Sequence, residues 1–167
     1  MGLINGTVAL ENDYELWKKM YEDEKNILVN IFKEENFIYE HIGSTSIKGL
    51  LAKPIVDIVV GVCNINELDK YLDILKSIYT VKWNNDSGEI LLIKENGIET
   101  FCLIHILKMN SKRYIDLIRF RDILNKNPDI VKEYEKLKLE LLKEYSNDRK
   151  LYTKSKNAFI QDVLNNM

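Results

Sequence analysis

The chain has 167 residues, of which 46% are hydrophobic and 30% charged, and its formal net charge is −2. This length and composition are typical of one globular domain with its own core. The lack of a basic excess argues against a general nucleic-acid-binding protein. No apolar run reaches the length of a membrane span and the N-terminus has no signal-peptide pattern, so we expect a cytoplasmic protein without membrane contact. We expect Cys63 and Cys102, both in apolar surroundings, to be buried free thiols rather than a disulfide.

The first 108 residues alternate between helical and strand patterns. Apolar residues at helical spacing predict a helix over residues 12–32, with Asn12 and Glu15 placed as a capping pair. A second helix is predicted to open at Asn64. Apolar and β-branched runs predict five strands, over residues 37–42, 55–62, 79–83, 89–94 and 98–108, with a turn over residues 84–88 and a hairpin turn at Asn96-Gly97.

The remaining residues carry helical patterns only. A boundary at residues 108–111 divides an α/β part, residues 1–108, from a helical part, residues 111–167, and we expect both to share one core. Asn127 and Pro128 are placed to begin a helix, the asparagine as its cap and the proline in its first turn. A last helix is predicted to open at residues 146–148.

Two cations fall on apolar stripes of these predicted helices, Arg121 on one and Lys156 on another. A buried cation needs an anionic partner. Asp122 or Asp148 could supply it within the chain. A phosphate of a bound substrate could supply it instead.

Glycines, hydroxyls and lysines gather between residues 41 and 62. Gly43 and Gly49 permit backbone conformations and close approaches that a side chain would block. A Gly43-Ser44 pair between a strand and a short helical turn points backbone N–H groups and the Ser44 hydroxyl at one place, which is typical of a phosphate site. Further candidate phosphate ligands in the same stretch are Thr45, Lys48 and Lys53.

Asp57 is the single charge in the strand predicted over residues 55–62, which the apolar pattern indicates to be buried on both faces. A buried carboxylate is costly unless it is paired or holds a metal. Its partner could be a bound cation, Lys53, Arg121 or Lys156. On the last predicted strand, His105 is either a metal ligand or a core histidine hydrogen-bonded to the backbone.

The pattern of Gly43-Ser44 followed by Asp57 in a hydrophobic strand resembles the signature of the nucleotidyltransferase superfamily, the polymerase-β-like fold. More narrowly, two blocks resemble the GrpB family, in the right order from about residue 10 to the C-terminus. The first block consists of Glu40-His41-Ile42-Gly43-Ser44-Thr45, Gly49-Leu50, Ala52-Lys53-Pro54 and Asp57-Ile58. The second consists of Phe120-Arg121-Asp122, Pro128, Tyr134, Leu137-Lys138, Asp148-Arg149, Tyr152-Thr153, Lys156 and Phe159-Ile160.

This resemblance implies an α/β (α+β) fold, with a nucleotidyltransferase-like mixed sheet, flanking helices and a helical C-terminal half. It also implies nucleotidyl transfer, in which Mg²⁺ sits on carboxylates, a hydroxyl attacks the α-phosphate of an NTP, and Asp57 is the catalytic residue. The superfamily carries a second carboxylate two residues after the first, where this chain has Val59, which cannot ligate a metal. If Asp57, His105 and His41 converge as ligands, the nitrogen donors suit Mn²⁺ or Zn²⁺ better than Mg²⁺.

Two functions of different classes remain open. The chain is either an enzyme that transfers a nucleotidyl group to a small-molecule or protein acceptor, or a non-catalytic accessory domain that binds a nucleotide or phosphate and has lost the metal pair. In both cases the partner is a nucleotide or another phosphate-bearing small molecule. The phosphate-binding residues would be Gly43, Ser44, Thr45, Lys48, Lys53, Arg121 and Lys156. A metal-dependent hydrolase is a third hypothesis, which rests on the two histidines only.

Overall fold

The computed structural model describes residues 2–33, 35–84 and 88–167. The predicted turn over residues 84–88 therefore lies mostly outside the described residues. The first part of the chain forms β1 (Leu3–Ile4), α1 (Tyr14–Ile31), β2 (Ile38–Ile42), a 3₁₀ turn (Ser44–Ser46), β3 (Val56–Val62), a 3₁₀ segment (Ile65–Tyr71), α2 (Leu72–Ile78), β4 (Thr80–Asn84), β5 (Glu89–Glu95) and β6 (Glu99–Lys108). The second part forms α3 (Lys112–Lys126), α4 (Pro128–Tyr145), α5 (Arg149–Ser155) and α6 (Asn157–Asn166).

The six strands form one mixed sheet, which confirms the predicted mixed sheet, although only five of the strands were predicted and β1 was not. Its order is β2-β3-β6-β5-β4, with β1 added to β6. Strands β3 and β6 are parallel, whereas the other pairs are antiparallel. Strand β3 lies inside the sheet with Val56, Ile58, Val59 and Val60 fully buried, because an apolar β-branched run is stable where helices cover both faces.

Helices cover the two faces differently. On one face α1 and α2 pack against the sheet in a core that contains Trp17, Leu28, Ile58 and Leu75. On the other face α3 places Tyr114 against an apolar group on β2, β3 and β6. A separate apolar cluster joins α3, α4 and α6 to the loop after β2 through Ile47, Leu50, Phe120, Leu124, Tyr134, Val163 and Leu164. None of the described helices is both long and apolar enough to span a membrane.

Several local predictions are wrong in detail. Helix α1 is capped by Asp13, whose carboxylate accepts from the N–H of Leu16 at 3.2 Å, because Asp13 directly precedes the first helical residue. The side chain of Asn127 donates to the carbonyl of Ile123 at 2.7 Å and does not cap α4.

The last predicted helix is two helices, α5 and α6, and Lys156 is the residue between them. Both cysteines are free, as predicted, and Cys102 is buried. The predicted burial of Cys63 is wrong, since this residue follows the last residue of β3 and is exposed.

Gly43 joins β2 to the 3₁₀ turn in a conformation that other residues rarely adopt. Its backbone angles are φ +71° and ψ −174°, a combination that is essentially restricted to glycine. A Cβ at this position would lie 2.8 Å from Oδ2 of Asp57. The β2–β3 register explains this closeness, because Ile42 pairs with Asp57 and the next residue passes beside the carboxylate.

We expect the substitution Gly43→Ala to lower the free energy of unfolding by about 1–3 kcal/mol from backbone strain, with a further loss from the collision with Asp57. The matched control is Gly49→Ala, because Gly49 also has a positive φ, +84°, but no atom within 4 Å of the added Cβ. Urea unfolding of both variants measures the difference. Equal losses in the two variants would show that the contact with Asp57 imposes no constraint.

Candidate functional site

A cavity of about 1060 Å³ opens between the sheet and the C-terminal helices. The α/β part contributes Gly43, Ser44, Thr45, Lys53, Asp57 and His105 to its lining. The helical part contributes Tyr134, Lys138, Arg149, Tyr152 and Lys156. This volume is sufficient for a nucleotide-sized ligand.

The turn after Gly43 forms one wall of the cavity. The N–H groups that open a 3₁₀ helix have no partner inside it, so those of Ser44 and Thr45 are available to an anion. The Ser46 hydroxyl donates to the carbonyl of Gly43 at 2.6 Å and fixes the turn. The side chain of Thr45 is 1% exposed and its hydroxyl lies 3.0 Å from Nε2 of His41. Thr45 can therefore offer its backbone to a ligand, whereas its hydroxyl is already paired.

His41 belongs to a different environment from Asp57. It pairs with Ile58 of β3, and its ring stacks on Tyr21 with centroids 4.9 Å apart. Burial lowers the pKa of His41 to about 4. The negative charge of Asp57 raises this pKa, whereas the positive charge of Arg121 lowers it further. Since neighbouring residues of a strand face opposite sides of the sheet, the structure does not bring His41 together with Asp57 and His105.

Asp57 begins a row of alternating charges across the sheet. Its Oδ1 lies 3.6 Å from Nε2 of His105, and Nδ1 of His105 lies 2.5 Å from Oε1 of Glu89. Oε2 of Glu89 lies in turn 3.0 Å from Nε of Arg113. Burial alone lowers the pKa of His105, but hydrogen bonds and charge from Asp57 and Glu89 outweigh it and raise the pKa to about 9. For Glu89, burial raises the pKa of the carboxyl group. Hydrogen bonds and charge from His105 and Arg113 outweigh this effect and lower the pKa below its ordinary value.

The predicted metal ligands do not form a donor set that fits a divalent ion. An imidazolium held between two carboxylates, as in His105, has no lone pair to give a metal. The position of the second carboxylate in nucleotidyltransferases is Val59, which is buried with Ile42 and Leu107. Within the described parts of the chain, no three His, Cys, Asp or Glu side chains are arranged to hold an ion. Asp57 lines the cavity, with its Oδ1 3.6 Å from Nε2 of His105.

Two lysines of the cavity wall lie against one tyrosine. The Nζ atoms of Lys53 and Lys156 lie 5.5 and 5.0 Å from the ring centroid of Tyr152, and Lys53 donates to the Thr153 hydroxyl at 3.3 Å. No described carboxylate lies within 4.0 Å of either ammonium group. Burial and the charge of Lys156 lower the pKa of Lys53 to about 8, although Asp57 opposes the shift. Burial also lowers the pKa of Lys156, and the negative charge of Asp57 again opposes this shift.

A third lysine, Lys138, is buried beneath this wall and fixes the backbone that leads to it. Lys138 is 1% exposed, donates to the carbonyl of Leu51 and lies 4.9 Å from the ring centroid of Tyr134. One helical turn earlier in α4, Glu135 accepts from the N–H of Leu51 at 3.0 Å. Both polar groups of Leu51 are therefore held by α4, which fixes the segment that leads to Lys53. Burial and Lys156 lower the pKa of Lys138 to about 7.

Two residues predicted to bind phosphate do not reach the cavity. Lys48 is exposed and does not line it. Arg121 is 17% exposed and pairs with Glu40 at 2.6 Å and Asp122 at 2.8 Å. It also donates to the carbonyl of His41 at 3.1 Å. The interpretation in which Asp122 pairs with Arg121 is thus the one that the structure shows, together with Glu40.

The sequence interpretation missed several residues of the site, namely Glu89, Arg113, Tyr134, Lys138, Arg149 and Tyr152. Four of them, Tyr134, Lys138, Arg149 and Tyr152, belong to the second block that resembles the GrpB family, where no site role was assigned to them. Lys138 left a further signal, because it lies four residues after Tyr134 and three before Leu141, on the apolar stripe of α4. A charge at that spacing indicates a buried lysine. Glu89 gave no comparable signal, because its partners His105 and Arg113 lie on other elements.

The two histidines should titrate far apart. We expect His105 to lose its proton at a pH of about 9 and His41 to remain neutral down to about 4. Because the folded-state pKa of His105 exceeds the ordinary value of 6.5, its charge stabilises the fold fully below pH 6.5, and this contribution is lost as the pH rises through about 9. Carbon-detected NMR of the imidazole rings measures both values. The variant His105→Gln should lose the alkaline titration only, and two pKa values near about 6.5 would contradict the geometry.

Residues 7–166 match the family model described as GrpB protein. The chain is 35% identical over 173 residues to the glutamate-rich protein GrpB of Alkalihalophilus pseudofirmus, which covers 100% of this chain and 99% of that protein. The crystal structure of the conserved protein GrpB from Enterococcus faecalis superimposes with a TM-score of 0.83 at 30% identity, covering 93% of this chain and 94% of that one.

A more distant likeness concerns the fold. The Cid1 poly(U) polymerase, in a structure with MgGTP bound, superimposes with a TM-score of 0.53 at 14% identity. The match covers 80% of this chain and 43% of that one, and it confirms the predicted nucleotidyltransferase-like mixed sheet. The family model and the relatives that match over nearly the whole length show that this chain belongs to the GrpB family.

Proposed function

We propose that the protein binds a nucleotide, or another phosphate-bearing small molecule, in the cavity between the sheet and the C-terminal helices. The observation that carries this proposal is the pair of ammonium groups of Lys53 and Lys156, which face the cavity without a carboxylate partner among the described residues. Binding would take place in the cytoplasm, where nucleoside triphosphates are held.

The free-energy cost of placing Lys53 and Lys156 close together supports a functional role for this pair. Two like charges in a half-buried place repel each other and lose hydration, and a sequence selected for stability alone would place a carboxylate between them. A phosphate supplies the missing negative charge and accepts hydrogen bonds from both lysines. It would also accept from the N–H groups of Ser44 and Thr45 at the start of the 3₁₀ turn.

The remaining lining offers a place for a nucleobase. Ile55, Ile93 and Leu103 contribute apolar surface to the same cavity, and a ligand pocket with apolar walls and few convergent polar groups is typical of small-molecule sites. The structural likeness to Cid1, whose structure carries MgGTP, makes a nucleotide the first ligand to test. At 14% identity that likeness concerns the fold, so the nucleotide is part of our proposal.

Nucleotidyl transfer is the second candidate function, and the placement of Asp57 favours it. The Asp57 side chain is 30% exposed, lines the cavity and lies next to Gly43 at the anion-binding turn. From there its carboxylate could accept the proton of an attacking hydroxyl on a small-molecule or protein acceptor. His105 would orient that carboxylate through the 3.6 Å contact between Nε2 and Oδ1.

Calorimetric titration with each nucleoside triphosphate, in chelator and in Mg²⁺, tests the binding proposal. We expect binding to persist in chelator, because the charge that a metal would supply comes from the lysines. The variant Lys53→Met should lose roughly 10- to 100-fold in affinity, as expected for a charge-assisted hydrogen bond. Lys48→Met removes the same charge from the same loop outside the cavity and should bind as the wild type does.

Thermal melts of the free protein separate a functional lysine from a structural one. Since burial and Lys156 depress the pKa of Lys53, we expect Lys53→Met to melt at or above the wild-type temperature at pH 7. A structural lysine would give a clearly lower melting temperature. A Lys53→Met variant that melts lower and keeps full affinity for nucleotide would contradict the proposal.

Release of pyrophosphate distinguishes transfer from binding alone. If the protein is a nucleotidyltransferase, wild type with an acceptor releases pyrophosphate and Asp57→Asn, which keeps the size of the side chain, does not. Both proteins should bind the triphosphate. Equal pyrophosphate release by the two proteins would remove Asp57 from the chemistry, whereas binding without release by wild type indicates the accessory function.

A further inference from the structure

Two polar groups on α5 are buried without a hydrogen-bond partner among the described residues, Nη1 of Arg149 and the hydroxyl of Tyr152. Both residues line the cavity. They are three positions apart on a helix and therefore face the same side. A buried donor that makes no hydrogen bond is costly in a folded protein, so a ligand that supplied the missing acceptor would remove this cost.

The rest of the Arg149 guanidinium is fixed in place. Its Nη2 donates to Oδ1 of Asn5 and to the hydroxyl of Thr100, each at 3.3 Å. No carboxylate of the described chain lies within 4.0 Å of the guanidinium group. The protein thus holds Nη2, whereas Nη1 is buried and makes no hydrogen bond to a described residue.

This pair lies at a distance from the Gly43 turn. Leu103 pairs with Asp57, and Thr100, which holds Arg149, precedes Leu103 by three residues on β6. At about 3.3 Å per residue this separation is roughly 10 Å along the sheet. Lys53 and Lys156 contact the ring of Tyr152, so the two lysines connect the turn to the α5 pair.

We propose that Arg149 and Tyr152 form a second anion subsite, which binds a phosphate group remote from the one held at the Gly43–Ser44 turn. The inference rests on the proposed function for the identity of the first phosphate. It makes the ligand a molecule with two or more phosphates, or a pair of phosphate-bearing molecules bound together. In either case the recognised group is a phosphate, and Arg149 binds it through a charge-assisted hydrogen bond from Nη1.

The test compares four probes in chelator: a nucleoside triphosphate, the corresponding monophosphate, inorganic triphosphate, and inorganic phosphate added to the protein–monophosphate complex. We expect wild type to bind the nucleoside triphosphate at least about 10-fold more tightly than the monophosphate. Tyr152→Phe and Arg149→Gln should each lower the affinity for the nucleoside triphosphate by roughly 10-fold or more. Their affinity for the monophosphate should equal that of wild type. Arg119→Gln is the matched control, because Arg119 is an exposed arginine of α3 outside this cavity.

The molecule that carries the second phosphate determines for which probe the two variants lose affinity. If it belongs to the nucleotide itself, the two variants weaken the nucleoside triphosphate and inorganic triphosphate alike. If it belongs to a second molecule, they leave both nucleotides unchanged and weaken inorganic phosphate that is added to the protein–monophosphate complex. Either result supports the subsite.

The melting temperature of the free Tyr152→Phe variant is a second measurement. Loss of a hydroxyl with a structural role would lower this temperature. Tyr152→Phe removes an unpaired hydroxyl, so the free variant should melt at or above the wild-type temperature while it loses affinity. If Arg149→Gln does not fold, Tyr152→Phe alone decides.

Wild-type affinities for all probes in both variants would overturn the subsite. The proposed function fails separately if wild type binds no nucleotide. Inorganic triphosphate then still tests the subsite, which stands if this probe binds wild type and loses roughly 10-fold in Tyr152→Phe and falls if it does not bind.

Discussion

Positive charge that has no carboxylate partner among the described residues is the constraint on which the site depends. Lys53 and Lys156 approach the same ring of Tyr152 although they repel each other. Several local features hold them there. Helix α4 binds both polar groups of Leu51, and Lys156 lies between α5 and α6, where it lines the cavity.

The sheet supplies the opposite arrangement, in which each charge has a partner. Asp57, His105, Glu89 and Arg113 alternate in sign from the cavity to its rim. This row satisfies the carboxylate that β3 brings into an apolar strand, and it does so with a cation that belongs to the protein. Within the described part of the chain, the charges of the row are paired, whereas Lys53 and Lys156 have no carboxylate partner. We infer that the row is built to hold Asp57 in place and the lysines to receive a ligand.

Local pattern predicted much of this fold. The strand 55–62, the hairpin at Asn96-Gly97 and the Gly43-Ser44 turn follow from residue types and spacing over a few positions, and Asp57 was correctly recognised as a charge that needs compensation. The compensating residue could not be identified, because His105 reaches Asp57 only through the parallel pairing of β3 and β6.

The fate of Arg121 shows the same limit. The sequence allowed Asp122, Asp148 or a phosphate as its partner. The structure shows Asp122 together with Glu40, which the packing of α3 against β2 brings within 2.6 Å of Arg121.

A crystal structure of the protein with a nucleoside triphosphate in chelator tests the central claim most directly. We expect phosphate oxygens within about 3.5 Å of Nζ of Lys53 and of Lys156. Phosphates that contact neither lysine would contradict it.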